Sequence, residues 1–200
     1  MRTRVTPPRR STAPPTAVIG LFVLALLALL AVFQPLRAAE VRSVHVVREH
    51  GGYTLSFELQ LAVDPKRVHA VLTDYAALPG MLDPLKHSEV LAHYTDGRMR
   101  VRLDFQGCVA MFCKTVRQTK DIEPAAGLDI TTVIVPKAGD LQWGWERWQI
   151  RARQGGTALQ YYAQFVPDFF VPPLLTSWLL KSELKDVLQV MGMKMEALGK

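Results

Sequence analysis

Apolar and polar residues alternate along much of the chain after residue 40, which is the pattern of half-buried β-strands. The segment YTLSFELQLAV shows it most clearly, and a shorter strand pattern, VRSVHVV, precedes it. Gly51-Gly52 lies between the two and predicts a two-residue hairpin turn. The apolar face of the longer strand consists of Tyr53, Leu55, Phe57, Leu59 and Leu61.

Two short helices are predicted after this strand. Asp64 and Pro65 provide an N-cap and a proline at the first helical position. Val68 and Leu72 follow at helical spacing. The segment DYAALPGMLDP then predicts a second helical turn, interrupted by its Pro-Gly pair.

Strand patterns return after the helices and recur about every dozen residues, which indicates an antiparallel meander. Turn residues separate them, among them the Gly155-Gly156 pair. The six segments are SEVLAHY, RMRVRLDF, MFCKTVRQTKDI, LDITTVIVP, WGWERWQIR and TALQYYAQF.

The last element is a long helix from Pro172 towards Lys200. In PDFFVPPLL, Pro167 ends the last strand and Pro172-Pro173 begin the helix, where a missing N–H costs nothing. A fold of the α+β class is expected, with a curved antiparallel sheet around this helix. The apolar stripe of this C-terminal helix contains Leu175, Trp178, Leu179, Val187, Met191 and Met195.

Residues 1–39 are read as a secretory signal peptide rather than as part of the folded domain. Arginines precede an uncharged apolar stretch, residues 17–33, and small residues Ala38 and Ala39 follow it. The stretch is long, and Leu36 or Arg37 falls three residues before cleavage, so an uncleaved membrane anchor stays open. Either form predicts export, to the periplasm or to the periplasmic face of the inner membrane.

The positive charge of the chain belongs mostly to this leader. The net charge is +6, and five arginines within residues 1–39 leave about +1 for the remainder. A nucleic-acid-binding protein carries its basic excess on the folded domain. Nucleic acid is therefore not an expected partner.

The two cysteines, Cys108 and Cys113, lie in GCVAMFCK. Export favours a disulfide that closes a hairpin, and two free thiols are the alternative. Two thiols are too few ligands for zinc, and none of the five histidines has a ligand partner at helical or hairpin spacing. No metal or cofactor is expected.

No catalytic motif is present: the sequence lacks GxSxG, HExxH and CxxC. Strand alternation places mainly apolar side chains on the inward face. Among them, only Tyr161 has a proton to donate. The alternation is ambiguous for the tryptophan-rich strand, where Trp143 and Trp145 share one face and Trp148 takes the other. The expected interior is therefore apolar rather than reactive.

The segment LAVDPKRVHAVLTDYAALPGMLDPLKHSEVL resembles the opening of the START-like, or SRPBCC, superfamily, which includes polyketide cyclases and coenzyme Q-binding START-domain proteins. GCVAMFCKTVRQ, GWERWQI and GGTALQYYAQFVPDFFVPPLL resemble exported bacterial members. The resemblance covers residues 41–198 and assigns residues 40–200 to one domain. It implies a helix-grip fold, in which about seven strands and a C-terminal helix enclose an apolar cavity.

The favoured hypothesis is noncatalytic binding or transport of a hydrophobic molecule such as a lipid, an isoprenoid or a quinone. A polyketide cyclase- or dehydratase-like enzyme is one alternative, and an envelope structural or interaction protein with a solid core is another. Enzymatic activity is left open, with binding preferred. The cavity candidates are Phe105, Trp143, Trp145, Tyr161, Phe165, Phe169, Phe170, Leu175, Trp178, Leu179 and Met191.

Overall fold

The structure is a computed structural model that describes residues 39–109, 112–172 and 177–198. Its elements follow the order predicted from the sequence pattern. The helices are α1 (Pro65–Thr73), α2 (Leu78–Met81) and α3 (Ser177–Leu198). The strands are β1 (Glu40–Glu49), β2 (Gly52–Leu61), β3 (Leu85–His93), β4 (Met99–Val109), β5 (Phe112–Glu123), β6 (Ile130–Ile134), β7 (Leu141–Arg153) and β8 (Gly156–Pro167).

All eight strands form one antiparallel sheet in the order β1-β2-β8-β7-β6-β5-β4-β3. Each strand from β3 to β7 pairs with the next one along the chain, so the meander is confirmed. The chain crosses from β2 to the far edge through α1 and α2. The sheet has one strand more than the seven that the resemblance implies, because β1 extends it beside β2.

The first hairpin turn lies one residue earlier than predicted. Glu49 pairs with Gly52, so the turn residues are His50 and Gly51, not Gly51-Gly52. Both have a positive φ, 50° and 80°, as the mirror-image type I turn of a tight hairpin requires. His50 is thus a non-glycine residue in the left-handed region, which glycine patterns alone do not reveal.

The predicted start of α1 is confirmed in detail. The side chain of Asp64 accepts a hydrogen bond from the backbone N–H of Lys66 at 2.9 Å, and Pro65 occupies the first turn. This cap satisfies one backbone donor that the first helical turn leaves unpaired. Val68 and Leu72 are the buried residues of the helix and pack into the main core.

Helix α3 packs on the same core as β1 and β2. Its buried residues are Leu188, Met191, Gly192 and Met195. A Cβ atom at position 192 would lie 2.5 Å from the Cβ of Ala39, so glycine permits this close approach. The helix thereby closes one side of the concave face of the sheet, beside the space described below.

The predicted disulfide between Cys108 and Cys113 is present and joins the ends of the β4–β5 hairpin, where the two residues pair directly. Within residues 39–109, 112–172 and 177–198, no helix is long and apolar enough to span a membrane. The apolar stretch 17–33 lies outside the described residues, so its assignment as a signal peptide or an anchor stays a prediction.

Candidate functional site

A cavity of about 300 Å³ lies between the sheet and α3, and we call it the inner cavity. Strands β2, β7 and β8 contribute aromatic and aliphatic side chains, and α3 contributes four further residues. Its principal apolar lining residues are Leu55, Phe57, Leu82, Phe105, Ile134, Leu141, Trp148, Tyr161, Phe165, Leu184, Val187, Leu188 and Met191.

A second cavity of about 300 Å³, the outer cavity, adjoins the first. It extends towards the segment between β8 and α3, where Phe169 and Val171 line it. Because the two cavities share part of their lining, we treat them as one continuous binding space. The shared residues are Pro84, Phe105, Gln118, Leu141 and Phe165.

An aromatic cluster forms one wall of the inner cavity. The ring of Tyr161 lies 4.8 Å from that of Phe57 and 4.3 Å from that of Trp148, measured between centroids. Farther out, the Tyr53 and Phe165 rings stack at 5.7 Å. Such pairs fix the positions of flat apolar surfaces along the cavity wall.

One buried charged pair interrupts this apolar lining. Lys120 and Glu146 are only 6% and 8% exposed, and Lys120 Nζ donates a hydrogen bond to Glu146 Oε2 at 2.6 Å. The Thr132 hydroxyl donates to the same oxygen at 3.1 Å. A buried ion pair gains little stability over apolar residues of the same size, because both charges lose hydration. Its presence in a cavity therefore points to a role in the site.

Tyr161 belongs to the same polar group. Burial and the neighbouring Glu146 carboxylate, with which its hydroxyl is hydrogen-bonded, raise the pKa of Tyr161 well above its usual value. Burial, and to a smaller degree Glu146, also raises the pKa of Tyr75, which lines a small neighbouring cavity of about 50 Å³ together with Lys120. Both hydroxyls therefore stay protonated at neutral pH.

Strand alternation explains how β5 delivers polar groups to the cavities. Lys114, Val116, Gln118 and Lys120 are two residues apart, so their side chains share one face of the sheet. They run from the outer to the inner cavity, with Gln118 lining both. Lys114 Nζ lies 4.3 Å from the centroid of the Phe169 ring. The two lysines are separated by about 20 Å along the strand, at about 3.4 Å per residue.

Two further polar atoms at the outer cavity are buried and unpaired. Gln118 Oε1 and Tyr53 Oη have no hydrogen-bond partner within the described part of the chain. Buried polar atoms in native structures are nearly always satisfied by protein, water or a ligand. These two atoms therefore supply polar contacts for whatever occupies the space.

Six of the predicted site residues line the cavities, and one of them, Trp145, is described in the next paragraph. Phe105 and Phe165 line both, which places them where the inner cavity meets the outer one. Tyr161 and Met191 line the inner cavity, and Phe169 lines the outer one. The segment before α3 thus supplies part of the rim, as the proline-rich pattern indicated.

Of the two predicted tryptophans of β7, Trp143 lies outside both cavities and Trp145 lies at the border of the inner one. Trp143 is 48% exposed, because regular alternation in β7 places it on the face opposite to Glu146, Trp148 and Ile150. Trp145 borders the inner cavity, but its indole packs on Tyr162 at 5.2 Å and its Nε1–H donates to Gln164.

Phe170 and Trp178 are 76% and 74% exposed, so neither side chain is enclosed with the cavity residues. Leu179 is half-buried and is not among the residues that line the two cavities. Leu175 lies outside the described residues. The helical stripe placed Trp178 and Leu179 on the buried face, but the buried part of α3 begins only at Leu188.

The expectation that the inward face carries Tyr161 as its sole proton donor is wrong, because Lys120 also faces the cavity, where it donates to the Glu146 carboxylate. The sequence MFCKTVRQTKDI already indicated the inward position of Lys120, because Val116 and Ile122 lie an even number of residues away and so share its face of the strand. The parity of Glu146 follows likewise from Trp148 and Ile150, which pack in the core. A charged side chain on the otherwise apolar face of β5 and of β7 was therefore the sequence signal that this face contains a polar site.

Residues 61–191 match a family model described as polyketide cyclase / dehydrase and lipid transport. Among solved structures, a START superfamily protein from Mycobacterium smegmatis is 21% identical with a TM-score of 0.57, and the alignment covers 77% of this chain and 99% of that one. A STAR-related lipid transfer protein from Xanthomonas axonopodis is 16% identical with a TM-score of 0.59, covering 79% and 98%. No curated protein matches the sequence. At these identities the structural likeness establishes the fold.

Proposed function

This chain belongs to the polyketide cyclase / dehydrase and lipid transport family, and from that membership we propose that it binds a small hydrophobic molecule between its sheet and α3. The observation that carries the proposal is the pair of adjoining cavities, each of about 300 Å³ and lined mainly by apolar side chains. Concave apolar sites with a few convergent polar groups are the usual form of small-molecule sites. These cavities favour ligand binding over the alternative of a structural protein with a solid core.

Apolar burial supplies the affinity for such a ligand. Each Å² of apolar surface removed from water contributes about 25 cal/mol, so a ligand that buries about 300 Å² gains about 7 kcal/mol before the cost of association. An isoprenoid, a lipid chain or a ring system of a quinone satisfies this requirement. We favour binding or carriage without chemical change, because the lining is predominantly apolar.

A second candidate function is cyclase- or dehydratase-like catalysis. One observation favours it: Glu146, Lys120 and Tyr161 bring a carboxylate, an ammonium group and a phenol to the inner cavity. General acid–base catalysis needs such groups within hydrogen-bond reach of the reacting atoms. In the structure Lys120 and Glu146 are hydrogen-bonded to each other. This arrangement fits ligand binding at least as well as it fits catalysis.

Native mass spectrometry of the full chain produced in a bacterial host tests the proposal. We expect a discrete adduct that organic extraction removes, and an apolar molecule in the extract. Adding the extract back to the stripped protein is expected to restore the adduct. A bare mass that does not change when phospholipids or quinones are added contradicts ligand binding, whereas time-dependent loss of water from the bound molecule supports the catalytic candidate.

We further propose that residues 1–39 direct the protein out of the cytoplasm, where they are removed or kept as an anchor through residues 17–33. The expected result is a chain recovered from the periplasmic or the inner-membrane fraction. Its intact mass tells the two forms apart, since removal of the leader shortens the chain. Recovery of the full-length chain from the cytosol contradicts export. A variant with the leader deleted is the control.

A further inference from the structure

The polar group at the inner cavity has hydrogen-bonding capacity that the protein does not use. An ammonium group carries three donors, and among the described residues only Glu146 accepts from Lys120 Nζ. Lys120 is 6% exposed, so bulk water does not satisfy the remaining donors. An unsatisfied buried donor is costly, and an acceptor brought by a ligand recovers that cost.

The charges also restrict what the acceptor is. The inner cavity is lined by one cation and one anion, Lys120 and Glu146, which neutralise each other at 2.6 Å. A ligand carboxylate placed there adds an uncompensated negative charge to a buried site and competes with Glu146 for Lys120. A carbonyl or hydroxyl oxygen accepts the same hydrogen bond without that penalty.

The groups around Lys120 also favour a neutral oxygen as the acceptor that the ligand supplies. The hydroxyl of Tyr161 is hydrogen-bonded with Glu146 and stays protonated. Thr132 also donates to Glu146. The carboxylate thus accepts from Lys120 and Thr132 and has the Tyr161 hydroxyl beside it, which leaves the ammonium group of Lys120 as the member of the cluster with unused donors. Phe57 and Trp148 flank Tyr161 with apolar ring surfaces that can hold the carbon skeleton beside it.

We propose, on the basis of the proposed binding function, that the inner cavity selects apolar ligands that carry a neutral acceptor oxygen, a carbonyl or hydroxyl, at their leading end, and that Lys120 Nζ donates to that oxygen. The ligand enters from the outer cavity, and its oxygen reaches the polar cluster. Saturated hydrocarbon chains and ligands with a leading carboxylate bind less well there. Lys120 is a binding residue in this scheme, and Glu146 is a positioning residue that holds the ammonium group.

Three naphthalene derivatives of matched shape test the selectivity. 2-Acetylnaphthalene has a carbonyl oxygen, 2-ethylnaphthalene lacks it, and 2-naphthoate carries a carboxylate. Equilibrium dialysis against the full chain is expected to show that the acetyl compound binds about tenfold more tightly than the ethyl compound, the usual worth of a hydrogen bond to a charged group. The carbonyl stretching band of bound 2-acetylnaphthalene is expected at lower frequency than in an apolar solvent.

The matched variants are K120M/E146L, which removes the buried pair, and K194M/D83L, which removes a solvent-exposed lysine–carboxylate pair. In K120M/E146L the preference for the acetyl compound is expected to vanish, together with the shift of its carbonyl band. The surface variant is expected to keep both. Removing both partners leaves no unpaired buried charge, so the cavity variant is expected to stay folded.

The outcomes separate this inference from the proposed function. If no naphthalene derivative binds, the proposed function fails, and the selectivity fails with it. If the ethyl compound binds as tightly as the acetyl compound, ligand binding stands and the role of Lys120 is overturned. If K120M/E146L loses more affinity for 2-naphthoate than for 2-acetylnaphthalene, the claim that the cavity prefers a neutral oxygen to a carboxylate is overturned. An unchanged carbonyl band in the wild-type complex also overturns the role of Lys120.

Discussion

Replacing Glu146 alone by leucine is expected to lower the free energy of unfolding by about 3–5 kcal/mol. The change leaves the ammonium group of Lys120 buried without its partner at 2.6 Å, and it also removes the acceptor of Thr132 and Tyr161. An unpaired charge in a low-dielectric site costs far more than the pair contributes. Urea denaturation followed by circular dichroism measures the loss.

The double variant K120M/E146L is the decisive comparison for this prediction. It is expected to regain most of the lost stability, because two apolar side chains replace two desolvated charges. D83L serves as the matched control, since it removes the carboxylate partner of Lys194 at the surface and is expected to cost less than about 1 kcal/mol. Equal losses in E146L and D83L would show that Lys120 and Glu146 are not isolated from water as the structure describes.

Replacing Val187 by tryptophan is expected to weaken binding of 2-acetylnaphthalene about a hundredfold, which corresponds to about 2.8 kcal/mol. Val187 lies on α3 and lines the inner cavity. The indole ring occupies space that the ligand needs, so much of the apolar burial that drives binding is lost. Dissociation constants from equilibrium dialysis measure the effect.

Met193 provides the control for this variant, because it lies on the same helix and is 50% exposed. M193W is expected to bind the ligand as the wild type does. The thermal midpoint of V187W is expected to stay near that of the wild type, since the new ring fills a cavity and does not displace packed side chains. Wild-type affinity in a folded V187W variant would place the binding space somewhere other than the inner cavity.

The fold was largely predictable from the sequence because it depends on local periodicity. Alternation in YTLSFELQLAV indicated which face of β2 is buried, and Phe57, Leu59 and Leu61 are indeed in the core. Asp64 and Pro65 marked the start of α1 because capping is a local interaction. The first hairpin turn was misplaced by one residue because His50 adopts a positive φ that its residue type does not announce.

The site was predictable only in part. Phe105, Tyr161 and Phe165 follow from strand parity within regular strands. For β7, alternation placed Trp143 and Trp145 opposite Trp148, and only the structure shows that Trp148 takes the inner face and Trp143 the outer one. Trp178 is exposed because the buried part of α3 begins only at Leu188. The apolar stripe of the helix does not indicate where along the helix burial begins.

The sequence by itself determined the order of the elements, the apolar face of most strands and the start of α1, since each depends on neighbouring residues. Only the tertiary structure decided that β5 and β7 bring Lys120 and Glu146 together across 26 positions of the sequence. It also decided that the space beside them stays open. The first follows from the registers of β5 and β7 on β6, and the second from the position of α3 over the curved sheet. Both depend on contacts between distant segments, which leave no periodic signal in the chain.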